Sequence, residues 1–218
     1  MAAPVCYSPL VDIILKPAMF KRLFAFLSRQ PEPDYLDAQE YDSALEAQAA
    51  IYKEAMAGFM RVVSSQLGEQ ESARLTDEVL RRLDNHPNPV GKDDVGELFL
   101  EGLVEDEGQQ SGKWILMHID WKASDEIDWQ VNDMLSTRGI DDRWEWDSDG
   151  KTVMQGLKVL AGWLPKHALS LLSIDFGHDA YYMLIVDNDA AAQAIELGRR
   201  AGLDVTSFQD FAVSQGEA

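Results

Sequence analysis

The chain has 218 residues, of which 46% are hydrophobic and 9% aromatic, enough apolar surface to order a core, so wholesale disorder is excluded. It carries 38 acidic side chains against 19 basic ones, a formal net charge of -19. That charge repels nucleic-acid backbones and anionic membranes; its plain meaning is solubility, and a basic protein or a cationic ligand is the partner it would suit. Cys6 is the one cysteine, which excludes an intrachain disulfide and a secreted fold stapled by such bonds.

The opening Met1-Ala2-Ala3-Pro4 has no basic stretch and does not read like a secretory signal, so the cytoplasm is the expected location. Pro17 suits the first turn of a helix, and Met19, Phe20, Leu23, Phe24 and Leu27 follow at helical spacing with Lys21 and Arg22 beside them. Lys16, Lys21 and Arg22 break the apolar run well short of the roughly 20 residues a membrane span needs. Pro31 and Pro33 then read as a linker.

Leu45, Ala49, Tyr52, Met56, Phe59, Val63 and Leu67 recur at steps of three and four and predict the clearest helix in the chain, with Gly68 as its C-cap. A further helix is expected around Ala73 to Leu83 and another from Asp94, on either side of a rigid Pro87-Asn88-Pro89 loop. The acidic, glycine-bearing stretch from Glu105 to Gly112 is the candidate boundary. Residues 1–110 are read as a helical region and 111–212 as a mixed α/β region, the two forming one compact structural unit.

Beyond Gly112 the texture changes. Trp114 to Trp121 reads as a buried strand and Ser124 as the cap of a helix whose core face is Ile127, Val131, Met134 and Leu135. Arg143 to Trp146 reads as a short strand, and Val153, Leu157, Leu160 and Leu164 as a helix face. Leu169 to Asp175 and Tyr181 to Val186 form a hairpin around Phe176-Gly177-His178-Asp179. A last helix begins near Asn188, a closing strand covers Leu203 to Phe208, and the tail from Ser214 is expected to fray. The fold class is therefore α+β, with N-terminal helices packed with a C-terminal mixed β-sheet flanked by helices.

The catalytic motifs are missing from this string. There is no glycine-rich phosphate loop, no Gly-x-Ser-x-Gly elbow, and no base near Cys6 in sequence, so no catalytic residue is assigned. Two constellations remain. His118 and Asp120 lie two apart on one strand and share a sheet face, while Asp175, His178 and Asp179 flank the hairpin turn. Brought together, these five would offer the nitrogen and oxygen ligands that zinc or manganese accepts, although the spacing matches no specific metal motif and Asp in turns is ordinary backbone chemistry. No other cofactor is expected.

All six tryptophans fall between Trp114 and Trp163. Trp129 lies about 200° around its helix from Ile127, given about 3.6 residues per turn, so it is off the core stripe. Its helical neighbours on that side are Asp125, Asp133 and Ser136, and Trp121, Trp144 and Trp146 stand among Asp141, Asp142, Glu145, Asp147 and Asp149. Aromatic faces amid carboxylates suit a cation, and the plainer account is a satellite aromatic core under a loop.

The run from Trp114 to Gln130, with Asp179-Ala180-Tyr181-Tyr182-Met183-Leu184-Ile185-Val186, resembles an uncharacterised bacterial domain family of unknown function, mainly over residues 113–210. That resemblance implies a bacterial cytoplasmic protein and assigns no activity. The hairpin with its Asp and paired tyrosines is also similar to acidic immunity proteins that neutralise basic toxins. Three readings follow. The leading one is a non-catalytic acidic binding or interaction protein. The alternatives are a metal-dependent hydrolase using the His/Asp cluster, and a structural subunit of a homo-oligomer joined through Met19, Phe20, Leu23 and Phe24.

Overall fold

The structure is a computed structural model and describes residues 38–105 and 107–216. The chain divides into two units, Met1–Tyr41 and Asp42–Ala218, and the architecture below is that of the second. The helix expected after Pro17, its apolar stripe and the Pro31–Pro33 linker lie outside the described residues.

Helix α1 (Ala38–Val63) buries Met56, Phe59, Met60 and Val63 at the predicted helical spacing. A single 3-10 turn then leads to Gly68, whose φ of 80° lets the chain reverse. Helix α2 (Glu69–Asn85) has Glu69 and Glu71 in its first turn, where the helix dipole favours them, and buries Leu75, Val79 and Leu83. At the start of α3 (Lys92–Val104) the Asp94 carboxylate accepts from the Gly91 N–H at 3.0 Å. Helices α2 and α3 approach closely because α3 has Gly102 at the contact, where a Cβ would stand 2.9 Å from the Val79 Cα.

Four strands form one sheet: β1 (Leu116–Asp120), β2 (Leu169–Asp175), β3 (Ala180–Asp187) and β4 (Asp204–Ser207), in the order β1-β3-β2-β4. Every pairing is antiparallel, so the sheet is not the mixed one that alternating helices and strands suggest. The reason is interleaving. The helical crossovers do join strands of the same direction, β1 to β2 and β3 to β4, but an antiparallel strand lies between the members of each pair.

The period-2 alternation of the strands feeds two cores. Leu116, Leu172, Tyr182, Leu184, Val186 and Val205 face α1, α2, α3 and α6 (Ala191–Arg200). Met117, Ile119, Leu171, Met183 and Ile185 face α4 (Ile127–Thr137), α5 (Val153–Trp163) and α7 (Phe208–Ser214). The sheet is thus the middle of three layers, which is why β3 reads as an unbroken apolar run. Crossovers of one hand that step the same way from β1 and from the oppositely directed β3 must fall on opposite faces, as α4–α5 and α6 do.

Two segments depart from expectation. Residues 143–146 take no regular structure and join no sheet; the Trp144 N–H and C=O bond the side chain of Asn132 at 3.0 and 2.9 Å instead of a neighbouring strand. Phe208 opens α7 instead of closing β4, with Ser207 as N-cap accepting from the Asp210 N–H at 3.1 Å. The outer edge of β1 is covered by side chains. Gln109 bonds the Leu116 N–H and C=O at 3.0 and 2.9 Å, and the buried Gln130 bonds both backbone groups of His118 at 2.9 Å. Among the described residues no helix is long and apolar enough to cross a membrane.

Candidate functional site

The tryptophans separate by the element that carries them. Trp144 is anchored by Asn132 and is 1% exposed, so its ring belongs to the core beside α4 and α5 and is not offered to solvent. Trp146 stacks on it with planes 10° apart and centroids 6.1 Å apart, and its indole N–H donates to the Ser124 carbonyl at 3.0 Å. Gly156 makes room for Trp146, since a Cβ there would come within 3.0 Å of the indole. This pair is a satellite aromatic core under a loop.

Three indoles already have a cation from their own chain. Lys122 Nζ lies 4.4 Å from the Trp121 ring, Lys151 Nζ 4.9 Å from Trp146, and Lys166 Nζ 4.1 Å from Trp163. Trp129 differs. It projects from α4 at 47% exposure, with the half-buried Trp114 meeting it edge-on at 5.4 Å. Asp125 and Glu126 are exposed on the 3-10 turn before α4, and Asp133 lies one turn after Trp129. Asp142 is not part of this face: it pairs with Lys166 at 2.8 Å and lies 3.2 Å from His167 Nε2. The hydrogen bond from Lys166 holds the Asp142 carboxyl below the usual carboxylate range.

The five His and Asp residues are only partly brought together. Asp175, His178 and Asp179 gather with Trp121 around a cavity of about 350 Å³ at the hairpin end of the sheet. His118 instead lies flat on Tyr182, with centroids 4.7 Å apart, and Asp120 accepts from the Lys122 N–H at 2.8 Å in the turn after β1. Asp175 likewise closes a turn, accepting from the Gly177 N–H at 2.7 Å. His118 and His178 both touch Tyr182, the second through its Nδ1 at 3.3 Å from the phenol oxygen. Among the described residues no group of three or more His, Cys, Asp or Glu side chains is placed to hold a metal ion.

Sequence reasoning did not anticipate that α7 and the residue that caps its C-terminus would supply Phe211 and Gln215 to the hairpin cavity. A signal was present in Ser207 followed three residues later by Asp210, which is the spacing of a helix start.

The model of a family described as a domain of unknown function (DUF6630) matches residues 21–208. The chain belongs to that family. The match reaches from before α1 to the first residue of α7, so it takes in the helical layer as well as the sheet and includes both the Trp129 face and the hairpin. No curated protein and no solved structure matches the chain.

Proposed function

We propose that this DUF6630 protein is a non-catalytic acidic binding protein that receives a basic protein partner on the Trp129 face of α4. One observation carries the reading. Where Trp121, Trp146 and Trp163 each have an intrachain lysine, Trp129 has none among the described residues and stands half exposed. An indole face next to Asp125, Glu126 and Asp133 attracts an arginine or lysine side chain through both the ring quadrupole and the carboxylates. The net charge of -19 would steer such a partner inward from a distance.

The test uses an arginine-rich peptide and a copy in which every arginine is replaced by neutral citrulline. The arginine peptide is expected to bind, to weaken as salt shortens the screening length below about 8 Å, and to weaken several-fold in Trp129→Ala. That variant should lose the edge-on contact with Trp114 and the covered half of the indole, about 1–3 kcal/mol of stability. Equal binding of the citrulline peptide overturns the reading, as does a Trp129→Ala protein destabilised by more than about 4 kcal/mol, the cost of a core indole.

A further inference from the structure

We propose that the cavity at the hairpin end is a binding site for one small organic cation, an amine carried on an apolar or aromatic body. Its volume of about 350 Å³ is near the lower end of the range of about 300–1,000 Å³ that ligand pockets occupy. The site therefore takes a single small molecule. Aromatic side chains form the walls: Tyr181 and Phe211 meet edge-on at 6.0 Å, and Trp121 stands at 52% exposure. The Trp121 ring carries the Lys122 ammonium at 4.4 Å, so the ligand's charge goes to the carboxylates and its apolar body to the Tyr181 and Phe211 rings.

The polar groups select the charge. Asp175 and Asp179 both line the cavity, and among the described residues neither is in an ion pair. An anionic ligand would meet two carboxylates with no lysine or arginine among the lining residues, whereas an ammonium would find two acceptors. Ser173 lies on β2 between Met183 and Thr206 in the register, is 2% exposed, and lines the cavity. A ligand N–H or O–H in the cavity would find the Ser173 hydroxyl as a further polar partner.

Calorimetric titration of the full chain with 2-phenylethylamine, neutral 2-phenylethanol and anionic phenylacetate tests the assignment. The amine is expected to bind one-to-one, the alcohol about tenfold more weakly or worse, and phenylacetate not at all, since a hydrogen bond to a charged group is worth about a factor of ten or more. Asp179→Asn should weaken the amine about tenfold while leaving the alcohol unchanged. Asp175→Asn should do the same, but it also touches the hairpin turn, so Asp179→Asn is the cleaner variant. Ser173→Ala should weaken the amine several-fold while the thermal midpoint holds. A flat amine titration overturns the proposal, as does equal affinity for amine and alcohol, or undiminished amine binding in both Asp179→Asn and Ser173→Ala. Trp129→Ala should leave the amine titration unaltered, so failure here is separable from failure of the α4 reading.

Discussion

His118 lies parallel to Tyr182, the two rings 4.7 Å apart at centroid with planes within 11°, while His178 approaches the phenol oxygen of the same tyrosine at 3.3 Å. Tyr182 is 4% exposed, and Phe176 packs edge-on against its ring. Burial disfavours the phenolate and raises the Tyr182 pKa above its ordinary 10.0. The unfolded chain therefore loses this proton before the folded one does. Stability from this group is complete below pH 10 and falls as pH climbs toward the raised folded value. Urea unfolding followed from pH 9 upward should show that fall, and Tyr182→Phe should lessen it. An identical alkaline slope in the variant would show that the tyrosine titrates as if exposed.

An acid limb is expected from α2. Glu78 is 7% exposed, and both its oxygens accept from Arg81, at 2.5 and 2.9 Å, with Arg82 at 3.2 Å. The Arg81 hydrogen bonds, more than any other influence, hold the Glu78 carboxyl below its ordinary 4.5. Because the folded value is the lower one, the stabilisation is present above pH 4.5 and is lost as pH falls through the folded value. Glu78→Gln should cost about 1.5–3 kcal/mol at pH 7, the range for a hydrogen bond to a charged group. The gap to the unaltered protein should narrow when both are denatured at pH 3. A gap that stays constant with pH would place the cost in packing instead.

The two-sided burial of the sheet is tested by one truncation on each face. Leu116 is fully buried against the α1–α3 side and Ile185 is 1% exposed against the α4–α5 side. Leu116→Ala and Ile185→Ala should each cost about 2–5 kcal/mol in chemical denaturation, the usual price of a cavity in a packed interior. A loss under about 1 kcal/mol at either position would mean that its face of the sheet is loosely covered.

Where a residue sat in a periodic element, its sequence revealed its surroundings. The α1 stripe from Met56 to Val63 was readable because each apolar side chain recurs on one helical face, and the angular position of Trp129 on α4 placed it off the core before any coordinate was known. The turn at Gly177 and the β2–β3 hairpin were readable for similar local reasons. Trp144 was not. It lies in an extended loop with acidic neighbours much like those of Trp129, and only Asn132, twelve residues earlier, draws its backbone inward. Likewise, Gln109 and Gln130 leave no periodic trace, because their amides bond backbone groups whose identity depends on the sheet edge they meet. The cavity at the hairpin end was half visible, through Asp175, His178 and Asp179. Its other wall comes from α7, which fills the unassigned stretch between the expected closing strand, ending at Phe208, and the tail expected to fray from Ser214.

The glutamines on β1 limit what this sheet can join. A strand from another molecule seeking to extend it at Leu116 and His118 would find the bonding groups already taken by side chains that mimic a neighbouring strand. The opposite border, β4, is four residues long and passes directly into α7. The sheet is therefore closed to templated growth along one margin and offers only a brief foothold on the other, so a chain rich in β-forming residues at its centre is shielded from polymerising through them.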